Sequence, residues 1–113
     1  MAELKFVAID FGAESGRGVV GTLSEGKLRL EEAHRFPNGP THVLNSLHWD
    51  VLQLYSQMKV ALTECVKKHG TQIEGIGVDT WGVDFGLLGR GDVLLGNPYH
   101  YRDDRTDGMM EKA

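Results

Sequence analysis

The residues best suited to chemistry stand in the string Asp10-Phe-Gly-Ala-Glu-Ser-Gly-Arg, where an acid ends an apolar run and a glycine-rich turn follows. Backbone N–H groups in such a turn can approach phosphate oxygens without side chains in the way. Ser15 adds a hydroxyl donor, and Arg17 adds a permanently charged donor that can bind in a bidentate manner. Asp10 would face a phosphate-bound Mg²⁺ through water. The alternative is a plain hairpin turn. Aspartate is rarely buried without a partner, so its position at the end of a buried strand favours phosphate binding over the plain turn.

A dinucleotide-binding pattern overlaps this string. Gly16-Arg-Gly-Val-Val-Gly21 matches G-x-G-x-x-G, a pattern that needs a helix directly after the glycines so that the helix N-terminus meets the pyrophosphate. Here residues 19–23 are β-type and end in a polar turn. The sequence therefore predicts a strand at this point and no dinucleotide site.

Two further clusters mix aromatic and polar residues. Residues 79–85 follow a predicted strand, and Trp81 could stack on a sugar face while Gly82 lets the backbone approach a hydroxyl. The alternative of a packed tryptophan between two strands is slightly favoured by composition. Residues 99–106 form a dense aromatic and charged stretch, which fits either the wall of a polar pocket or a solvated loop with weak ion pairs.

The elements that must position these clusters follow from the apolar patterns. Residues 5–11, 17–23 and 28–36 predict three strands joined by short turns, hence an antiparallel meander. Residues 37–48 are predicted to be a loop. A helix is predicted from the N-cap Asp50 to the stop at Gly70. Residues 72–79 should then lie parallel to the first strand, and shorter strands are predicted at residues 83–88 and 97–101, with a helix starting at Thr106.

Composition sets the class of protein and excludes several functions. The net charge of −4 disfavours nucleic acid and anionic membrane as partners, and the longest apolar runs are far too short for a membrane span. A lone cysteine, Cys65, cannot form an internal disulfide and fits a cytoplasmic protein. The five histidines have no metal-ligand spacing, so they are interpreted as surface or capping residues.

Three motifs, in this order, resemble the start of carbohydrate kinases of the FGGY type. They are Asp10-x-Gly-x-x-Ser-Gly-Arg, the string Gly-Ile-Gly-Val-Asp-Thr-Trp-Gly-Val-Asp-Phe at residues 75–85, and Tyr-Arg-Asp-Asp-Arg-Thr at residues 101–106. The first motif is shared with the wider actin, Hsp70 and hexokinase superfamily and indicates fold more than substrate. The second motif, together with His34-Arg-Phe36, narrows the resemblance to the branch that acts on L-rhamnulose. The resemblance covers essentially all 113 residues.

The resemblance implies an α/β fold. Residues 1–113 would be the N-terminal part of the first lobe of a sugar kinase, a ribonuclease-H-like (actin-like ATPase) lobe. Its mixed sheet would begin with the antiparallel meander, and the lobe would be incomplete at the C-terminus.

The resemblance also implies ATP and Mg²⁺ as cofactors, and transfer of the γ-phosphate to the 1-hydroxyl of a ketose. The residues that it assigns to the ATP phosphates are Asp10, Gly12, Ala13, Glu14, Ser15, Gly16 and Arg17, with Asp10 also serving the metal. The residues that it assigns to the sugar are Gly82, with Trp81, Tyr101 and Asp103 as neighbours. Glu14 departs from the Ser or Thr expected in the phosphate loop, and an added anion there is unfavourable unless it points away or meets the metal.

The resemblance assigns no catalytic residue to this chain. The catalytic base, an Asp, and the adenine pocket are both expected beyond residue 113, so the chain alone should be inactive and should need the missing C-terminal part. The uncovered apolar surface predicts self-association. Two alternatives stay open: another ketose kinase, for fuculose or xylulose, and a non-catalytic actin-like module that binds sugar or ATP.

Overall fold

The computed structural model describes residues 3–112, and these residues form two compact units. The first unit contains residues 3–39 and 52–81, and the second contains residues 40–51 and 82–112. The strands and helices, in chain order, are β1 (Leu4–Phe11), β2 (Ser15–Ser24), β3 (Lys27–Pro37), β4 (Thr41–Val43), β5 (Ser46–His48), α1 (Val51–His69), β6 (Gly75–Thr80) and α2 (Met109–Lys112).

The first unit is built on a four-stranded mixed sheet in the order β3-β2-β1-β6. β1 pairs antiparallel with β2, and β2 pairs antiparallel with β3, so the predicted meander is confirmed. β6 follows the helix crossover and pairs parallel with β1, also as predicted. The segment after Gly18 is strand and not helix, which confirms that the glycine pattern beginning at Gly16 is not a dinucleotide fingerprint.

One face of this sheet carries the core. Val7 and Ile9 of β1 and Val20 of β2 are buried against Ala61 and Cys65 of α1. Alternate residues of a strand point to opposite faces, so the residues between these positions face away from α1.

The helix ends where the sequence predicts. Gly70 has a φ of +84°, and its N–H donates to the carbonyl of Val66 at 2.8 Å. Glycine adopts this left-handed conformation without steric cost, and the bond satisfies a carbonyl of the last turn. At the other end, the side-chain carbonyl of Asn97 accepts from the N–H of Val51 at 3.2 Å. Among residues 3–112, no helix has both the length and the apolar character needed to cross a membrane.

The second unit corrects the prediction of a loop at residues 37–48. β4 and β5 form an antiparallel hairpin there, with Thr41 opposite His48 and Val43 opposite Ser46. Each strand is only three residues long, too short to leave a readable alternation. Leu44 turns the chain with a positive φ of 53°.

Three further predictions for the second unit are wrong. Residues 83–88 and 97–101 form no strands and contribute only the isolated bridges of Leu88 with Leu94 and of Tyr99 with His48. Thr106 does not cap a helix but closes a 3₁₀ turn, Asp104–Thr106, and α2 begins only at Met109. At residues 97–101, hydrogen bonds with a distant segment take the place of a ladder: the N–H of His100 donates to the carbonyl of Leu47 at 2.9 Å, and the N–H of Trp49 donates to the carbonyl of Pro98 at 2.9 Å.

Candidate functional site

A row of charged side chains crosses the sheet of the first unit at the carboxyl ends of β1 and β6. Asp10 is the cross-strand partner of Arg17 on β2 and of Asp79 on β6, and Arg17 is in turn the partner of Arg35 on β3. Asp10 alternates with the core residue Ile9, which places this row on the face opposite α1. Each of the four strands thus contributes one charged residue to one line.

Arg17 holds the centre of the row. Its Nη1 lies 3.2 Å from Oδ2 of Asp10, and its Nη2 donates to Oγ of Ser15 at 3.2 Å and to the Ser15 carbonyl at 3.4 Å. Its Nε is buried and has no hydrogen-bond partner among the described residues. The sequence placed Asp10, Ser15 and Arg17 in one site, and in the structure Arg17 contacts both Asp10 and Ser15.

The turn between β1 and β2 is held rigidly by backbone hydrogen bonds. The N–H of Gly12 donates to the carbonyl of Ser15 at 3.0 Å, and a Cβ at Gly12 would collide with that same carbonyl oxygen. Asn38, the residue after β3, holds the turn with two hydrogen bonds. Its Nδ2 donates to the Gly12 carbonyl at 2.9 Å, and its N–H donates to the Glu14 carbonyl at 3.0 Å. Asn38 carries no motif, and sequence reasoning missed it.

Three residues assigned to the phosphate loop have distinct environments. Gly16 is buried, and a Cβ there would overlap the ring of Phe36, so packing alone already requires glycine. Ala13 is half-buried, and the side chain of Glu14 is exposed. An exposed Glu14 can remain hydrated, which removes most of the cost of an anion near phosphates.

Asp10 and Asp79 form a pair of carboxyl groups. The pKa of Asp79 is raised, first by its side-chain hydrogen bond with Asp10, then by burial and by the negative charge of Asp10. Two carboxyl groups in contact share a proton more readily than they both ionise. Among residues 3–112, no group of three or more His, Cys, Asp and Glu side chains converges on a metal position. Mg²⁺ is commonly held by one or two carboxylates plus water and phosphate oxygens, and this pair fits that requirement.

The second unit has a polar and aromatic centre that the sequence did not reveal. Trp49 is almost completely buried, and its Nε1 donates to Oδ2 of Asp84 at 2.7 Å. Its ring lies 4.2 Å from that of His100. His100 is also buried, which corrects its interpretation as a surface or capping residue. Burial lowers the pKa of His100, because the charged imidazolium loses hydration there.

Asp103 and Tyr101, two residues assigned to the sugar, stand on this centre. The Asp103 carboxylate is buried and accepts from the N–H of Leu47 at 2.7 Å and of Arg105 at 2.9 Å. Those two bonds are the main reason that its pKa is lowered. Tyr101 is 41% exposed and stacks on His100 with ring centroids 4.4 Å apart. The guanidinium of Arg102 also lies over the Tyr101 ring, with Cζ 5.5 Å from its centroid.

Gly82 begins the second unit at a strained point of the backbone. A Cβ at Gly82 would meet no atom within 4 Å, so packing does not require glycine. The next residue, Val83, has a φ of +70°, a conformation that is rare for a β-branched residue and marks a constrained position. Trp81 is half-buried and belongs to the first unit.

Comparison with solved structures gives the class of protein that has this fold. A gluconate kinase from Lactobacillus acidophilus matches 99% of this chain and 22% of its own with a TM-score of 0.81 at 16% identity. A xylulose kinase from the same organism matches 96% of this chain and 22% of its own with a TM-score of 0.78 at 16% identity. The chain therefore has the fold of a segment of carbohydrate kinases, the actin-like ATPase fold that the motifs predicted. No family model matches the chain.

Sequence comparison finds rhamnulokinases among the relatives of the chain. The rhamnulokinase of Oceanobacillus iheyensis is 44% identical over 107 residues, 95% of this chain and 23% of the relative. That of Bacteroides thetaiotaomicron is 47% identical over 106 residues, 94% of this chain and 22% of the relative. The chain thus spans about a fifth of the length of the curated relatives that it matches. The resemblance to sugar kinases drawn from the three motifs is confirmed.

Proposed function

We propose that the protein carrying this chain is a kinase that transfers the γ-phosphate of ATP to the 1-hydroxyl of L-rhamnulose. The observation that supports it best is the 44% and 47% identity to two rhamnulokinases over nearly the whole chain. The contact of Asp10, Ser15 and Arg17 gives that likeness a chemical basis. Because the chain spans about a fifth of those relatives, the proposal concerns the longer protein.

In this proposal the turn from Gly12 to Gly16 receives the phosphates of ATP. The Ser15 hydroxyl and the Arg17 guanidinium donate to phosphate oxygens, and backbone amides of the turn, including those of Ala13 and Glu14, surround them. The Asp10 carboxylate holds Mg²⁺ through water, with Asp79 beside it. When bound, the metal neutralises charge on the phosphates. In this arrangement the Arg17 guanidinium lies between two anions, the Asp10 carboxylate and the nucleotide phosphates, and binds both.

The sugar contacts in this proposal come from Trp81, Gly82, Tyr101 and Asp103. The open space at Gly82 leaves room for a hydroxyl next to the backbone. Aromatic rings suit the apolar C–H surface of a sugar. The Asp103 carboxylate is buried, accepts from two backbone amides and lies 3.9 Å from Nη1 of Arg105, so in this proposal it also fixes the segment that carries Tyr101.

The catalytic base is proposed to lie in the remainder of the protein. Of the four acids in the second and third motifs, three already have partners: Asp84 accepts from Trp49, Asp103 accepts from backbone amides, and Asp79 pairs with Asp10. The fourth, Asp104, is exposed at the start of a 3₁₀ turn. A general base must reach the attacking hydroxyl within ~3 Å and be free to take its proton. The chain alone is therefore expected to be inactive.

Three smaller proposals accompany this one. The reaction takes place in the cytoplasm, which fits the single, free Cys65. The chain studied alone self-associates, because Ile76 and Val78 of the edge strand β6 are exposed. Neither nucleic acid nor membrane is proposed as a partner.

The test is an assay of ADP formation with ATP and Mg²⁺ on the protein that carries this chain, with L-rhamnulose, L-fuculose and D-xylulose compared. L-rhamnulose should give the highest kcat/KM. Asp10→Asn should lower turnover at least about tenfold, by analogy with the loss of an electrostatic contact to phosphate, and should leave sugar affinity in the absence of nucleotide unchanged. A preference for fuculose or xylulose would replace the substrate. Binding of sugar and ATP without any turnover would instead favour a non-catalytic module.

A further inference from the structure

A second guanidinium reaches the serine of the phosphate loop. Arg35 stands directly opposite Arg17 in the pairing of β2 with β3. Its Nη1 donates to Oγ of Ser15 at 3.2 Å, and Nη2 of Arg17 donates to the same oxygen, also at 3.2 Å. Two arginines from neighbouring strands thus converge on one hydroxyl group.

This convergence restricts what the hydroxyl can do. A serine hydroxyl has two acceptor lone pairs and one donor proton, and it normally rotates to suit its partners. The two guanidinium N–H groups occupy both lone pairs of Ser15 Oγ. The hydroxyl group of Ser15 can then act only as a donor, and the two arginines set the direction of its O–H bond. A group that only donates suits a phosphate oxygen, which only accepts.

Glu32 fixes the guanidinium of Arg35 in the orientation that this requires. Nε of Arg35 donates to Oε1 of Glu32 at 2.6 Å, and Nη2 donates to Oε2 at 3.2 Å. This fork leaves Nη1 directed to Ser15. The same contact lowers the pKa of Glu32 and raises that of Arg35. A planar guanidinium held by two bonds loses little further freedom when it makes a third.

We propose that Arg35 is a positioning residue that, together with Arg17, orients the Ser15 hydroxyl to donate to a phosphate oxygen of a nucleoside triphosphate. The inference rests on the proposed function, because the phosphate is that of the kinase's nucleotide. Arg35 acts through Ser15 and not on the sugar. Its loss therefore weakens nucleotide binding and leaves the ketose untouched.

An ordinary surface ion pair on the same strand provides the matched control. Arg29 lies 3.4 Å from Glu31 through a single nitrogen, and its side chain is 68% exposed. Like Arg35, it is an arginine of β3 that pairs with a glutamate of the same strand. None of its described contacts involves the turn between β1 and β2. Such pairs contribute little, so Arg29→Gln should behave like the unaltered protein.

The experiment measures nucleotide affinity by calorimetry with Mg²⁺ and a non-hydrolysable ATP analogue, on the full-length protein. Arg35→Gln should weaken that affinity about three- to tenfold, the range expected for losing one ordinary hydrogen bond, with the KM for the ketose unchanged. Arg35→Lys should also weaken it, because an ammonium cannot reproduce the fork. Ser15→Ala should weaken it too, and the double variant Ser15→Ala/Arg35→Gln should be no weaker than Ser15→Ala alone.

The results for Arg35→Gln and for the double variant can each overturn the inference. Equal affinities for Arg35→Gln and Arg29→Gln overturn the inference, and so does a double variant whose loss is the product of the two single losses. If Arg35→Gln is unfolded by circular dichroism, Glu32→Gln is measured in its place, because it keeps the arginine but removes the charge that holds it. Weaker nucleotide affinity in Glu32→Gln supports the inference, and unchanged affinity overturns it. An unaltered protein that phosphorylates no ketose would count against the proposed function. Nucleotide affinity is measured without sugar, so the two failures are distinguishable.

Discussion

Replacing Gly18 by Ala should destabilise the fold, because Gly18 is where β2 lies closest to α1. A Cβ at this position would stand 2.9 Å from Cβ of Ala61 and 3.5 Å from Sγ of Cys65. Carbon atoms pack at about 3.5–4.0 Å, so the helix and the strand would have to separate by roughly 0.6 Å or more. Ala61 is a short side chain on a helix backbone and cannot rotate away.

The expected cost follows from two opposing effects. Inserting a methyl group into a well-packed core costs about 1–3 kcal/mol. The change also reduces the conformational freedom of the unfolded chain, which stabilises by about 0.4–1 kcal/mol. The net loss of unfolding free energy should be about 1–2 kcal/mol, as the difference between these two ranges. For a domain of this size, that corresponds to a fall in melting temperature on the order of 5–10 °C.

The assay is urea or thermal unfolding followed by circular dichroism, with Gly77→Ala as the control. Gly77 lies in β6 of the same sheet, and a Cβ there would meet no atom within 4 Å. Its replacement should be neutral or slightly stabilising. If Gly18→Ala unfolds at the same denaturant concentration as Gly77→Ala, the close approach of β2 and α1 described above is refuted.

Two further predictions concern the second motif and the second unit. Trp81→Ala in the full-length protein should raise the KM for the ketose several-fold, as expected for losing about 1 kcal/mol of aromatic contact, with the KM for ATP little changed; a variant that is simply unfolded by circular dichroism would make Trp81 a structural residue. Asp103 has a lowered pKa in the folded chain, so its contribution to stability is present above the ordinary aspartate pKa of about 4 and is lost as the pH falls through the lower, folded value. Asp103→Asn should therefore lower stability at pH 7 and make the remaining stability less sensitive to acid. The measurement is unfolding at pH 7 and at pH 3, and an equal loss of stability between the two pH values in variant and parent would contradict this role.

The side-chain contacts of the proposed phosphate site could be predicted from sequence in part, because the residues are close together along the chain. Asp10, Ser15 and Arg17 stand close together along the chain, and a strand, a tight turn and a returning strand bring them into contact almost regardless of the rest of the fold. Arg35 and Asn38 reach the same site through the register of β2 with β3. Strand periodicity alone does not specify that register to the residue.

The second unit was predicted less well because its order depends on contacts between distant residues. The bond from Trp49 to Asp84 and that from Leu47 to Asp103 join segments far apart in sequence. Neither contact leaves a periodic pattern. The buried His100 is an example: Trp49, far away in the sequence, stacks on its ring, and the residues next to His100 in the sequence do not indicate that contact.

The parallel pairing of β1 with β6 has a consequence for the order of events during folding. Asp10 and Arg17 can meet as soon as a hairpin forms, which takes microseconds for an isolated hairpin. Asp79 joins Asp10 only after the whole of α1 has crossed over and closed a long loop. A chain with only the hairpin formed would offer one carboxyl group beside a guanidinium, whereas the complete sheet offers a pair of carboxyl groups. If the proposed Mg²⁺ binds that pair, it would preferentially stabilise molecules whose crossover is complete, because a ligand of the folded state alone raises its stability.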